Sequence, residues 1–443
     1  MLKRLLDILW LLLLGAFVFA IPPTFHGDEP MQIYMSRDYA TAFINRDPDA
    51  LVVDPPYSID TDAYLRLING TVNRYAIGLS WQIAGLTVNN LPPRPGWDWG
   101  LDYTTNVSTG HMPSAALLAV GRFSSTLFLA LSVVVMFALG WQFAAPHNRL
   151  LAYVVSGLYA LNPVILLNGR RALQEGSTLF FGLLVILIAV LISKRRAENK
   201  SAPLYLWIAL ILAGGLTLAS KYTGIVFVGG ALGWIFLAEA VRLRWRDLLI
   251  TTGKLIVCGV LCLLFFIALS PALWDDPPAR LLDSLEQREQ LLNIQVSSDS
   301  DAPMPLLERV REIIVQPFMT APQQYEVAFW ATFPAVTDDV ARYMGSPFSG
   351  LQFGVILGGV LTLLAGIGIV FCLHRDWRAG VFAWLGLTIA SLLANPLPWQ
   401  RYYLGLIPLV TLLAGIGLFG LLRRFVWKPE HPHELSHGLS QNG

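Results

Sequence analysis

The feature that most constrains this chain is a series of ten apolar runs, each long enough to cross a lipid bilayer. They lie at about 5–22, 114–142, 150–167, 172–193, 203–220, 222–240, 250–270, 351–373, 379–395 and 400–422. Only 14% of the 443 residues are charged, against roughly 25% in an average soluble domain. Backbone in lipid must satisfy its own hydrogen bonds, so such runs fold as helices. We predict an all-α polytopic membrane protein with about ten transmembrane helices.

Cations between the runs predict the orientation. When ten helices are threaded alternately, the basic clusters all fall on one side, at residues 3–4, 149, 194–196, 242–246, 375–378 and 423–428. The positive-inside rule makes that side cytoplasmic and places both termini inside. The first run is the weakest because it is short and carries Asp7. A signal peptide cleaved after Ala20 is the alternative, but we expect a retained helix in the plasma (inner) membrane.

Two outer connections, 22–113 and 271–350, are too long to be simple turns. In the first, apolar residues recur at helical spacing over about 30–45 and 60–88, which predicts amphipathic helices on the membrane surface. Its Trp97 and Trp99 suit the headgroup zone.

The domain organisation predicted from this pattern is a single membrane domain over 1–426. A polar tail, 427–443, follows and is expected to be disordered. The histidines of this tail are candidate metal ligands, but a solvated tail is the favoured interpretation: His431, His433 and His437.

Ionisable residues collect at the outer ends of the predicted helices. They are Asp28, Glu29, Arg122, Arg170, Arg171, Glu175, Lys221 and Arg401. A charge at the membrane centre costs roughly 2.5–3.5 kcal/mol, so Arg122, the deepest of them, needs a partner or water. Several cations beside a carboxylate pair predict an outward-facing cavity that holds an anion. Possible supporting residues are His26, Asp98, Asp102 and Tyr402.

Simpler roles compete with this interpretation at single positions. The pattern around Asp28 is typical of a helix N-cap, with Pro30 in the first turn of the helix. Glu175 could neutralise Arg171, its neighbour at i−4. Lys221 and Arg401 could each anchor a helix at the interface. Asp98 and Asp102 fit solvated turns, and His26 with Asp28 is too small a set to specify a metal.

The composition and the remaining motifs exclude some functions. A net charge of +1 and the lack of basic runs give no sign of a nucleic-acid partner. Cys258, Cys262 and Cys372 lie in apolar runs and are predicted to be buried, without disulfides or metal. Asn69 and Asn106 begin sequences that fit glycosylation sequons on the outer side.

Five segments together resemble a known family. They are "HGDEP" after the first helix, "LNPVILLNGRRALQEGSTLFF", "GGLTLASKYTG", "SPALWDDP" and "PWQRYYLGLIPLV". In this order they resemble the lipid-phosphate-dependent glycosyltransferases of the GT-C superfamily, in the branch of the dolichyl-phosphate-mannose–protein mannosyltransferases and their bacterial relatives. The resemblance spans most of the chain, and each motif by itself is only moderately specific.

The resemblance implies a catalytic base at Asp28 with Glu29 beside it. It also implies that Arg170 or Arg171, Lys221 and Arg401 hold the phosphate of a polyprenyl-phosphate sugar donor. We expect transfer to a hydroxyl of a lipid, glycan or protein acceptor at the outer face, with inversion at the anomeric carbon. Because protein cations stabilise the leaving phosphate, we expect no cofactor and no required divalent metal. No large soluble domain follows the last helix, so the outer loops are expected to recognise the acceptor.

Two other functions remain open from the sequence. A transporter for an anionic solute is one, but transporters usually place binding charges near the midplane of the membrane. A flippase or binding protein that handles the same lipid without chemistry is the other.

Overall fold

The computed structural model describes residues 2–59, 61–94, 96–144, 149–299, 301–326, 330, 332–373 and 376–425. The tail 427–443 and its three histidines lie outside the described residues, as do Arg375 and Lys428 of the basic clusters. Within the described residues every regular element is helical and no β-strand occurs. The predicted all-α class is confirmed.

The α-helices are numbered here in chain order. They are α1 Leu2–Phe19, α2 Asp28–Met35, α3 Arg37–Tyr39, α4 Asp62–Ile68, α5 Thr71–Ile83, α6 Tyr103–Ser108, α7 Ala115–Phe143, α8 Leu150–Ala160, α9 Pro163–Arg170, α10 Glu175–Ala197, α11 Leu204–Ser220, α12 Ile225–Ala240, α13 Trp245–Leu269, α14 Pro277–Ser298, α15 Leu306–Val315, α16 Pro334–Met344, α17 Gly354–Phe371, α18 Val381–Ala394 and α19 Leu406–Phe425.

Each of the ten predicted runs forms a helix or, in one case, a bent pair of helices. Among the described residues, seven segments are long and apolar enough to cross a membrane, or eight if α8 and α9, which meet at 61°, form one broken span. The break has a local cause: Asn162 accepts hydrogen bonds from the first backbone N–H groups of α9, and Pro163 opens that helix. The chain is a multi-pass membrane protein, and the count of ten stays a prediction.

Asp7, whose charge made the first run the weakest prediction, has partners in the third predicted transmembrane segment. Its carboxylate accepts hydrogen bonds from the Arg149 guanidinium and from the Tyr153 hydroxyl, the latter at 2.7 Å. The charge in α1 is therefore compensated at the start of α8, on the predicted cytoplasmic side.

The main core lies where α10 packs against α7, α11 and α12, with α8 and α19 behind. Side chains such as Ile186, Trp234 and Leu412 are fully buried there. All three cysteines are buried and form no disulfide, as predicted.

The first outer loop forms the expected helices with shorter bounds. The stretch predicted over 30–45 is α2, α3 and a π-helical turn at Ala40–Ile44, and the stretch over 60–88 is α4 and α5. The break between α4 and α5 brings Gly70 against α11, where a Cβ would lie 2.0 Å from the Ser220 carbonyl oxygen. Glycine alone fits this approach, which fixes Asn69 beside the bundle.

Trp97 contradicts the expectation of a headgroup-zone residue, because its indole is fully buried. It packs among Phe25, Tyr103 and Trp330 and so joins the two outer loops. Trp99 is 46% exposed. The second outer loop contains α14, which lies beside α4, and α15, which lies beside α18.

Candidate functional site

The two outer loops and the adjoining helix ends enclose a cavity of about 810 Å³, within the usual size range of ligand sites. It brings together the following sequence-predicted residues: His26, Asp28, Asp98, Glu175, Lys221, Arg401 and Tyr402. It does not bring in Glu29, Asp102, Arg122, Arg170 or Arg171. One wall is largely apolar and is formed by residues of α10, α12 and α18.

Asp28 is the first residue of α2, and Gly27 occupies the N-cap position without any side-chain cap. The interpretation of Asp28 as the N-cap is therefore wrong. His26 supplies the acceptor instead, because its Nδ1 accepts the Asp28 backbone N–H at 3.1 Å. The Asp28 carboxylate is left facing the cavity, where its Oδ2 accepts a hydrogen bond from Arg401 Nη1 at 2.6 Å.

Glu326 joins the same cluster from the second outer loop. Its Oε1 lies 3.1 Å from Arg401 Nε, and its Oε2 lies 2.7 Å from His26 Nε2. Because Nδ1 of His26 is an acceptor, the proton of a neutral ring sits on Nε2 and is donated to Glu326. The geometry fits a neutral histidine that orients Glu326, while Arg401 bridges two carboxylates.

Arg401 controls the charge state of both carboxylates. Burial raises the pKa of Asp28, but its neighbours together, with Arg401 contributing most, hold that pKa below the ordinary value of 3.8. For Glu326 burial again raises the pKa, and the charge of Arg401 lowers it to well below the usual range. Both groups are therefore ionised at neutral pH.

Glu29, predicted as a second catalytic carboxylate, is fully buried and committed to four contacts. Its two oxygens accept hydrogen bonds from Arg122 Nε and Nη2, both at 2.7 Å. They also accept the backbone N–H groups of Ala172 and His26, both at 2.9 Å. Burial raises the pKa of Glu29, but Arg122 keeps it below its ordinary value. Glu29 and Arg122 thus join α2 to α7, away from the cavity.

Arg170 and Arg171 were predicted to hold phosphate, and the structure places both of them away from the cavity. Arg170 donates to the carbonyls of Phe17, Val18 and Phe348 at 2.7–2.9 Å. The first two carbonyls are at the C-terminal end of α1, where a cation is favoured by the helix dipole. Arg171 likewise donates to backbone oxygens.

The partners of Arg171 are Thr24 and Gln324. Its guanidinium reaches the Thr24 carbonyl at 3.2 Å, the Thr24 hydroxyl at 2.9 Å and the Gln324 carbonyl at 2.7 Å. Glu175 does not neutralise Arg171, as the i−4 spacing suggested, because its Oε1 lies 2.8 Å from Lys221 Nζ. Lys221 is held at the cavity wall by this pair.

Arg288 of α14 lines the cavity and was missed by the sequence analysis. Its guanidinium lies over the Tyr222 ring, 4.9 Å from the ring centre, and it pairs with no carboxylate among the described residues. Arg288 and Glu326 were missed for the same reason. The sequence pattern of their segments is typical of a solvated amphipathic loop, and no motif distinguishes these charged residues from their exposed neighbours.

The remaining predicted polar residues fill turns. Asp98 accepts the Gly100 N–H at 2.8 Å, and Asp102 caps α6 by accepting the Thr105 N–H at 2.7 Å. Both roles agree with the turn interpretation. Asn106 is fully buried and its amide donates to three carbonyls, and the Asn69 amide also lies inside a hydrogen-bonded cluster. Neither sequon presents a free amide in this fold.

No group of three or more His, Cys, Asp or Glu side chains in the described ranges is placed to hold a metal ion. Metal independence stays a prediction.

Comparison with solved structures finds matches along nearly the whole chain. The oligosaccharyltransferase AglB of Archaeoglobus fulgidus, in complex with an inhibitory peptide and a dolichol-phosphate, matches 95% of this chain at a TM-score of 0.52 and 11% identity. The oligosaccharyltransferase of the same organism in its apo form matches 94% at 0.52 and 12%. The form tethered to an acceptor peptide with the NVT sequon matches 95% at 0.51 and 13%.

This chain spans about half the length of those proteins, 51%, 50% and 50% respectively. No family model matches the chain, and no curated protein matches it. At this identity the likeness shows the fold. The chain shares the fold of these oligosaccharyltransferases, in agreement with the fold expected from the sequence resemblance.

Proposed function

We propose that this protein transfers a sugar from a polyprenyl-phosphate donor to an acceptor hydroxyl at the outer face of the membrane. The observation that carries the proposal is the cavity itself, which is lined by Asp28, three cations and an apolar wall. The fold shared with oligosaccharyltransferases supports the same reaction class.

The apolar wall is suited to the lipid tail of the donor. It is formed by Leu179 of α10, Phe227 of α12 and Leu392 of α18. An amphiphile whose head carries phosphate and whose tail is hydrocarbon matches this division, since burying apolar chain is favourable at about 25 cal/mol per Å². A small hydrophilic anion would leave the apolar wall of the cavity without a contact.

We assign the donor phosphate to Lys221, Arg288 and Arg401. Four carboxylates line the cavity with the three cations, so the cavity has no excess positive charge before the donor binds: Asp28, Asp98, Glu175 and Glu326. As the anomeric C–O bond breaks, the phosphodiester becomes a monoester and gains a negative charge. Cations already in position stabilise that developing charge more than they stabilise the bound donor.

Arg401 links donor binding to the base. The donor phosphate competes with Asp28 for the same guanidinium, because an Arg binds phosphate oxygens with the same fork of N–H groups. When the phosphate takes Arg401, the carboxylate loses its charge partner and its pKa rises. Asp28 thus becomes a stronger base once the donor is bound.

The reaction follows from this arrangement. The acceptor hydroxyl oxygen attacks the anomeric carbon, its proton passes to Asp28, and the electrons of the C–O bond leave with the phosphate. A single displacement inverts the anomeric centre. Glu29 has no part in these steps, because all of its contacts hold α2 in place.

The test is release of polyprenyl phosphate by the purified protein given polyprenyl-phosphate sugar and a hydroxyl acceptor. We expect Asp28→Asn to slow release by about 10²–10⁴-fold while donor binding persists. Asp49→Asn, which changes an exposed carboxylate of the same loop, is the matched control. Wild-type protein that binds the donor but never releases polyprenyl phosphate would instead support a flippase or transporter. Retention of more than about a tenth of the rate by Asp28→Asn would exclude Asp28 as the base.

A further inference from the structure

Three neutral amide side chains form a cluster in the cavity wall. They belong neither to the charged groups nor to the apolar wall, and the proposed function assigns them no role. They are Gln32 of α2, Asn69 at the end of α4, and Gln174 just before α10. Asn69 Oδ1 accepts from Gln32 Nε2 at 3.1 Å and from Gln174 Nε2 at 2.8 Å. Three separate segments therefore meet at one amide.

The cluster adjoins the group proposed as base at one end and, at the other, the carboxylate that holds one of the cations proposed to bind phosphate. Gln32 is four residues after Asp28 in α2, so both side chains are on the same face, one turn apart. Gln174 immediately precedes Glu175, whose carboxylate holds Lys221 at 2.8 Å. A sugar joined to the phosphate and attacked beside Asp28 must occupy this interval.

Buried groups behind the cluster fix its orientation. Gln32 Oε1 accepts from Asn73 Nδ2 at 3.3 Å, and Asn73 Oδ1 accepts from the Ser125 hydroxyl at 3.3 Å. Asn73 and Ser125 are completely buried. Side chains locked in this way are suited to recognising a ligand, since little ordering remains to be done when the ligand binds.

Part of the hydrogen-bonding capacity of the cluster is unused by the protein. Gln174 is 6% exposed, yet its Oε1 accepts no hydrogen bond from any described residue. One N–H of each glutamine amide also has no partner among the described residues. Polar groups this deeply placed normally have a partner, and all of these groups belong to side chains that line the cavity.

We propose that Gln32, Asn69 and Gln174 bind hydroxyl groups of the sugar carried by the donor, and that this sugar is uncharged. The inference rests on the proposed function. Amides offer both donors and acceptors without net charge, as ring hydroxyls require. The three cations of the cavity already face four carboxylates and, once the donor binds, its phosphate, so a uronic acid would add a further anion that no cation balances.

The test compares the binding of four probes to wild-type protein in nanodiscs: polyprenyl phosphate and its mannosyl, glucosyl and glucuronosyl conjugates. We expect at least one hexosyl conjugate to bind about tenfold more tightly than polyprenyl phosphate, and the glucuronosyl conjugate to gain nothing. Gln174→Leu and Gln32→Leu should each reduce the hexosyl gain by about three- to tenfold and leave the affinity for polyprenyl phosphate unchanged. Gln290→Leu on the exposed side of α14 is the control.

An equal or larger gain for the glucuronosyl conjugate would overturn the inference, and so would the absence of any gain from either hexose. A loss of polyprenyl-phosphate affinity in the two cavity variants that equals their loss of hexosyl affinity would do the same. The binding of the four probes to wild-type protein tests whether the sugar is uncharged even where a variant fails to fold. If polyprenyl phosphate itself does not bind, the proposed function falls, and that outcome is distinct from failure of the sugar subsite alone.

Discussion

Asp28 and Arg401 are 373 positions apart in the chain, yet Asp28 Oδ2 and Arg401 Nη1 are only 2.6 Å apart. The sequence could place them on the same side of the membrane, because alternate threading of the helices puts both at outer ends. It could not show that they touch, nor that Glu326 completes the cluster, since the contact depends on how two long loops fold over the bundle.

The pH dependence of transfer tests the coupling of these residues. A base with a lowered pKa stays deprotonated in more acidic solution, so we expect kcat/KM to hold down to about pH 4 and to fall only below it. Arg401→Gln removes the charge that lowers the pKa of Asp28, and the acid limb should then move to higher pH.

The quantity to compare is the pH at which kcat/KM falls on the acid side. The absolute value of kcat/KM is not suitable, since Arg401→Gln also weakens donor binding. Arg311→Gln, at a side chain that is 72% exposed, should leave the limb in place. An unmoved limb in Arg401→Gln would show that Arg401 does not set the basicity of Asp28.

Among the elements, α2 is the one whose position decides the site. It is only eight residues long, too short to be stable alone, and the buried Glu29–Arg122 pair fixes it to α7. The sequence predicted a carboxylate pair after the first helix. It could not show which of Asp28 and Glu29 faces the cavity and which fixes the helix. Adjacent residues of a helix point in different directions, and only the packed structure shows where each one lies.

Glu29→Gln should therefore destabilise the protein. It leaves the Arg122 charge buried without its partner, which typically costs about 3–5 kcal/mol. Thermal unfolding in detergent should show a lower midpoint for Glu29→Gln than for Asp28→Asn, and Glu29→Gln/Arg122→Met should recover part of the loss. Unchanged stability together with abolished transfer would instead assign Glu29 to the chemistry.

At the scale of the whole molecule, the apolar runs and the basic clusters predicted the helical class, the order of the spans and the two outer loops. The fold match over 95% of the chain agrees with the predicted helical membrane class. The composition of the cavity was less predictable. Arg288, Gln32 and Asn69 come from loop helices whose periodicity resembles that of any solvated amphipathic segment, and Gln174 lies in the short turn before α10.

Topology is open to a direct labelling test, because the three native cysteines are buried. A membrane-impermeant maleimide should label Asp49→Cys in intact cells and label Lys200→Cys only after permeabilisation. Lys200 is 63% exposed and lies between α10 and α11 on the predicted inner side. Labelling of both positions from the same side would contradict the threading.

The most direct test of the account is an experimental structure of the protein in nanodiscs with bound polyprenyl phosphate. The account predicts that the phosphate contacts Lys221, Arg288 and Arg401, that the lipid chain runs between α10, α12 and α18, and that Arg401 has moved from Asp28 toward the phosphate. A lipid phosphate bound outside this cavity, or at the opposite face of the membrane, would contradict it.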